Sequence, residues 1–103
     1  MTKVYIDAGS CGYNVTITVE RIDKNNLDIK IDTECMMVKA MEVDIKGADW
    51  RRILRKIIES PVYISASKRL KHAGCPVPMA IIKAIEVELG ISLPKDVKLT
   101  FVK

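Results

Sequence analysis

Two stretches of strict alternation, separated by a polar turn, constrain this chain more than anything else in it. From 13 to 20, Val15, Ile17 and Val19 fall on one side and Asn14, Thr16, Thr18 and Glu20 on the other. From 27 to 34, Leu27, Ile29 and Ile31 alternate with Asp28, Lys30, Asp32 and Glu34. A period of two with one apolar side marks strands that lie half in a core and half in water. The intervening Asp23-Lys24-Asn25-Asn26 is turn chemistry, so the pattern predicts a β-hairpin with one wet face. Register must place both apolar sets on the same face. Pairing Val19 with Leu27, Ile17 with Ile29 and Val15 with Ile31 does so. Continued outward, that pairing sets Cys11 and Cys35 close to opposite each other at the open end of the hairpin, both with core-face parity. A shift of two residues would keep the face and displace them by one pleat.

The rest of the chain must cover the apolar face. Residues 3–8 alternate, with Val4, Ile6 and Ala8 on one side, and predict a short strand that ends in the turn Gly9-Ser10-Cys11-Gly12. From Met36 the period becomes helical, through Met37, Val38, Met41 and Ile45, until Gly47. Asp49 is placed to cap a second helix with Trp50, Ile53, Leu54, Ile57 and Ile58 on one stripe. Ser60-Pro61 opens a third that runs to about Leu70 with Val62, Tyr63, Ala66 and Leu70 inward. A fourth, from about Val77, buries Ile81, Ile82, Ile85 and Leu89 and stops at Gly90. Beyond Pro94, Val97, Leu99 and Phe101 alternate with Lys98 and Thr100 as a last strand. The expected fold is α+β: an antiparallel sheet of about four strands, three N-terminal and one C-terminal, with three to four helices on one face. A length of 103 residues fits one domain.

Candidate chemistry gathers at the one histidine and the three cysteines. His72 and Cys75 are spaced His-x-x-Cys, and Pro76 and Pro78 launch the helix that follows. A cysteine at a helix N-terminus meets free N–H groups and the positive end of the dipole, which favour thiolate. Three cysteines, an odd number with no export signal, argue for thiols or metal ligands and against a disulfide framework. If the fourth helix packs with its N-terminus toward the open end of the hairpin, Cys11, Cys35, Cys75 and His72 form a Cys3His set. That composition suits zinc and can hold an iron–sulfur cluster. Two other roles stay open. Free cysteines serve as small buried hydrophobes, as the core parity of Cys11 and Cys35 would allow. Cys75 could also be a reactive thiol.

The pattern Gly9-Ser10-Cys11-Gly12, a hairpin, Cys35 opening a helix, and His72 and Cys75 ahead of a final helix resembles the IscU/NifU-N iron–sulfur scaffold family over roughly Val4 to Gly90. This chain has Tyr13 where that family has an aspartate two after its first cysteine. It also has Ala73-Gly74 between histidine and cysteine. The resemblance implies a β-β-β-α scaffold whose site holds zinc or a transient [2Fe–2S] cluster. It further implies a cysteine desulfurase and acceptor proteins as partners. The chain is also similar to a small uncharacterised prokaryotic family with a His-x-x-Cys-Pro-Val-Pro segment and a Leu-Pro-x-Asp-Val tail, which implies no function.

Other function classes find less support. There is no Ser-His-Asp set, phosphate loop or pair of catalytic carboxylates, so a scaffold, carrier or accessory protein is expected in place of a catalyst. No apolar run approaches the roughly 18–20 residues of a membrane span, and no signal-peptide core is present, so the cytoplasm is the expected compartment. The net charge is +4 and the pI about 9.0. Arg51, Arg52, Arg55, Lys56, Lys68, Arg69 and Lys71 would lie on outer helix faces. They supply the alternative reading, a metal-free module that docks an acidic protein or RNA. Aromatics are only 5% of the chain, which weighs against nucleic acid because bases need stacking partners.

Overall fold

The computed structural model describes residues 1–103. Three strands, β1 (Thr2–Asp7), β2 (Asn14–Arg21) and β3 (Leu27–Thr33), form one antiparallel sheet in the order β1-β2-β3. Helices α1 (Met36–Ile45), α2 (Trp50–Ile53), α3 (Pro61–Arg69) and α4 (Val77–Glu88) follow. The expected α+β class holds. The apolar face of the hairpin is the inner one: Val15, Ile17, Val19, Leu27, Ile29 and Ile31 are all buried. Helix α1 packs on β3 and α4 on β1 and β2, so both helices cover the same face. One core of 19 buried residues joins the layers, with Met41, Ile45, Val62, Ile81 and Ile85 supplied by helices. Each fully buried side chain of this size contributes roughly 1.5–3 kcal/mol relative to exposure.

The hairpin register differs from the expected one by one pleat. Val19 faces Ile29, Ile17 faces Ile31 and Val15 faces Thr33. The turn decides it. The Asp23 carboxylate accepts the N–H groups of Asn25 and Asn26, both at 2.9 Å, and the Ile22 N–H donates to the Asn26 carbonyl at 3.0 Å. Closing the ladder at Ile22–Asn26 shifts every later pair by two, which preserves the buried face.

Two further expectations are corrected. The second helix does not continue through Ile58. It ends at Ile53, with Leu54 donating back to Trp50, and a 3-10 turn follows at Ile57–Glu59. Ile58 is 84% exposed and belongs to no buried stripe. Proline 61 disfavours helix at the residue before it, and α3 must turn to pack on α1. There Asp44 accepts from Ser65 Oγ at 2.6 Å and from both Arg69 Nε at 3.0 Å and Nη2 at 2.9 Å. The Arg69 and Ser65 hydrogen bonds hold the Asp44 carboxyl well below the usual carboxylate range. The second correction is the last strand. Residues 93–103 carry no regular structure, and the sheet has three strands, not four. A strand needs a neighbour to satisfy its backbone, and this segment meets none within its own chain.

The two sheet edges are unlike. On β3, the Leu27 N–H donates to the Ala48 carbonyl at 3.1 Å and the Ile31 N–H to Glu42 Oε2 at 2.6 Å. Lys39 Nζ donates to the Ile31 carbonyl, also at 2.6 Å. Helix α1 and the loop after it therefore close that edge. No such groups lie along β1.

Candidate metal centre

The three cysteines come from three separated segments and arrive at one end of the sheet. Cys11 closes a 3-10 turn, Gly9–Cys11, that links β1 to β2. Gly9 and Gly12 flank it with φ of 69° and 80°, left-handed values that suit glycine. The Asp7 carboxylate accepts the Gly9 N–H at 3.1 Å, which anchors the start of the turn. Cys11 itself is exposed, although its parity had placed it on the core face, because the turn lifts it out of the strand.

Cys35 is the N-cap residue of α1 and is buried, with 5% of its surface exposed. Its N–H donates to Thr33 Oγ1 at 3.1 Å, and its carbonyl accepts the first helical bond, from Lys39, at 2.9 Å. Thr33 Oγ1 in turn donates to the Asn14 carbonyl at 3.0 Å, tying this corner to β2. By the observed register, continued two residues past the strand, Cys35 stands across from Tyr13, so Cys11 and Cys35 are not directly opposed.

Cys75 reaches the same end through α4. The C-terminal residue of that helix, Glu88, meets Thr2 and Arg21 at the far end of the sheet. The N-terminus of α4 therefore points to the end where β1 leaves and β2 begins. Cys75 is half-buried two residues before the helix, and the Val77 N–H donates to its sulfur. That bond favours the thiolate, as expected, but it does not prevail. Burial pushes the Cys75 thiol up, and charge on Cys35 and Cys11 would push it further. Cys75 is thus held as a thiol, not as the thiolate that the helix start had suggested. The sulfurs of Cys35 and Cys11 both lie within electrostatic reach of Cys75.

His72 does not join them as a fixed partner. It is exposed in the segment between α3 and α4 and makes no hydrogen bond. No three or more His, Cys, Asp or Glu side chains stand together in an arrangement that could hold a metal ion. The fold brings the three thiols to one end without setting them in ligating geometry.

The basic residues are placed outward, though two are already engaged. Arg51 Nη2 pairs with Asp49 at 2.8 Å and Arg69 Nη2 with Asp44 at 2.9 Å. Arg52, Arg55, Lys56, Lys68 and Lys71 form none of the salt bridges. The structure also shows a groove that periodicity did not indicate, about 420 Å³, walled by Ile53, Leu54, Tyr63, Met79, Ile82 and Ile91. Ser60, only 1% exposed, lines it with a hydroxyl that has no partner. The sequence signal was present in Ser60-Pro61, but it reads as a helix cap, and the side chain makes no capping bond.

These features define a small α+β protein with a thiol-bearing end. Residues 2–101 match the sequence model of a family of unknown function, DUF6951, and the chain belongs to that family. No curated protein and no solved structure matches it. No helix is long and apolar enough to cross a membrane.

Proposed function

We propose that this protein binds a thiophilic metal, zinc or an iron–sulfur cluster, through Cys11, Cys35 and Cys75, and serves as a carrier, scaffold or accessory protein in the manner of the IscU/NifU-N family. The observation that carries the reading is the convergence of three cysteines from three distant segments on one end of the fold. Cys35 and Cys75 are held by the starts of α1 and α4. Cys11 sits on an exposed turn between two glycines, so it is the ligand that must move in to close the site. A bound cation would supply a positive charge that offsets three mutually repelling thiolates. Binding therefore releases protons and strengthens as pH rises toward the thiol range. His72 is the natural fourth donor only if the Ala73-Gly74 turn folds back. A cysteine desulfurase or an acceptor protein would then be the partner.

The test is metal analysis with an absorption spectrum on protein purified without oxygen, followed by zinc titration with a competing chelator. Stoichiometric zinc or iron that is lost in Cys75→Ser and in Cys35→Ser supports the reading. Metal-free protein that also fails to take up zinc, with both variants melting like the parent, rejects it and leaves the cysteines as packing residues.

A further inference from the structure

We propose that the C-terminal segment Val97–Val102 adds as a fourth strand to the β1 edge of a second copy of this chain, each copy donating one strand to the other. The donor and the acceptor are both unsatisfied in the single chain. In the donor, Val97, Leu99 and Phe101 are 61%, 79% and 92% exposed, yet they alternate with Lys98 and Thr100 as a strand with one apolar face does. This is not a stray appendage: the family match runs to residue 101 and so includes it.

The acceptor follows from the ladder. Ile31 directs its N–H and carbonyl away from β2, toward Glu42 and Lys39. Alternation then turns Ile17 toward β1, where it meets Val4. On β1, therefore, Thr2, Val4 and Ile6 bond to β2, while Lys3, Tyr5 and Asp7 present their backbone groups outward. None of those outward groups has a partner. On the opposite edge, β3, the outward groups of Leu27 and Ile31 are taken by Ala48, Glu42 and Lys39, and Ile29 between them has no such partner but is only 1% exposed, so no strand can reach it. The β1 edge is the one solvent can reach, with Tyr5 65% exposed, and an exposed unpaired edge is a template for an added strand.

Side-chain parity agrees. Val4 and Ile6 point toward the core side and lie at its rim, so Val97, Leu99 and Phe101 on the same side would extend the buried face. Lys98 and Thr100 would continue the wet face beside Lys3 and Tyr5. A second copy is favoured over a separate peptide by size. One docked strand is small against the roughly 1,200–2,000 Å² of a stable interface, and reciprocal exchange doubles it.

Sedimentation equilibrium on the full chain across a range of concentrations tests this, with hydrogen exchange read at the Lys3, Tyr5 and Asp7 amides. A dimer is expected, with those amides protected only when it forms. Leu99→Lys and Phe101→Lys alter side chains that touch little in the single chain, so folding should persist. Together they should weaken the dimer by at least roughly 100-fold, the value of burying two large apolar side chains. Tyr5→Pro removes an outward N–H from the edge and should act alike. A chain that stays monomeric, or a dimer indifferent to the tail variants, overturns the proposal. Protection of the three amides in a monomer would overturn it too, assigning the edge to the chain's own tail.

Discussion

At its C-terminal end α4 meets the sheet through Glu88. That carboxylate accepts from Thr2 Oγ1 at 2.7 Å and from the Arg21 N–H at 3.1 Å, and it pairs with the Met1 ammonium at 3.3 Å. At its N-terminal end α4 meets the sheet near Cys75, with Cys35 and Cys11 around it. One end is closed by opposite partners; the other gathers three groups of the same kind. Burial pushes the Glu88 carboxyl up, but Thr2, Arg21 and the N-terminus outweigh it and hold the group below its ordinary range. Burial pushes the Cys75 thiol up as well, and its sulfur neighbours add to the rise. The difference shows what an end of a helix needs from its surroundings. Complementary charge completes the first end within the chain, whereas at the second the neighbouring sulfurs only add to the cost of charging Cys75.

The largest test loads the thiol end. If zinc binds there, saturation at a thousandfold above Kd should stabilise the fold by about 4 kcal/mol. A calorimetric scan with and without chelator reads it, and Cys75→Ser should abolish the difference. An equal response in that variant would remove the contrast between the ends.

Breaking the other end comes next. Glu88→Ala should cost about 2–3 kcal/mol by urea unfolding, because a nearly buried acceptor of charge-assisted bonds is lost. A cost within error would mean that the Glu88 contacts merely decorate the helix end.

A smaller and sharper effect is expected from pH, with the ends failing at opposite extremes. Glu88 has a lowered carboxyl, so its contribution is present above the ordinary glutamate value of about 4.3 and is lost as pH falls through the folded value. Cys75 has a raised thiol, so metal-free stability is intact below the ordinary cysteine value of about 8.5 and declines as pH rises through the folded value. Melting temperature against pH should therefore flatten on the acid side in Glu88→Gln and on the alkaline side in Cys75→Ser. Exchanged or unaltered limbs would refute the assignment.

The smallest effect is expected at His72. It is exposed and unbonded, so His72→Ala should leave the melting temperature of the metal-free protein unchanged within about 0.5 kcal/mol of stability. Any loss of zinc affinity it causes should be smaller than that of Cys35→Ser. A loss as large would make His72 a full ligand.

Much of this fold was readable because it depends on local period. Residues 14–21 and 27–33 alternate, and both became strands with the expected side inward. Residues 36–45, 61–69 and 77–88 follow helical spacing between Gly47, Pro61 and the Pro76–Pro78 start, and each became a helix. The failures have a common origin. Ile57 and Ile58 continue an apolar stripe, but the path that α3 must take toward Asp44 leaves them outside. Val97, Leu99 and Phe101 alternate as well as β2 does, yet alternation cannot supply a neighbouring strand.

The thiol end divides along the same line. By itself, the sequence determined that Cys35 precedes a helix, that Cys11 lies in a glycine turn, and that Cys75 stands just ahead of a proline-started helix. These are local facts of capping and turn chemistry, set by residues a few positions apart. Tertiary structure alone decided that α4 runs with Cys75 toward the other two cysteines, that Cys11 is lifted into solvent, and that Cys75 is held as a thiol. It also decided which sheet edge is sealed and which is left open. Those outcomes depend on packing between segments up to 86 residues apart, as between Thr2 and Glu88. There, burial and the charge of neighbours outweigh any preference the local sequence expresses.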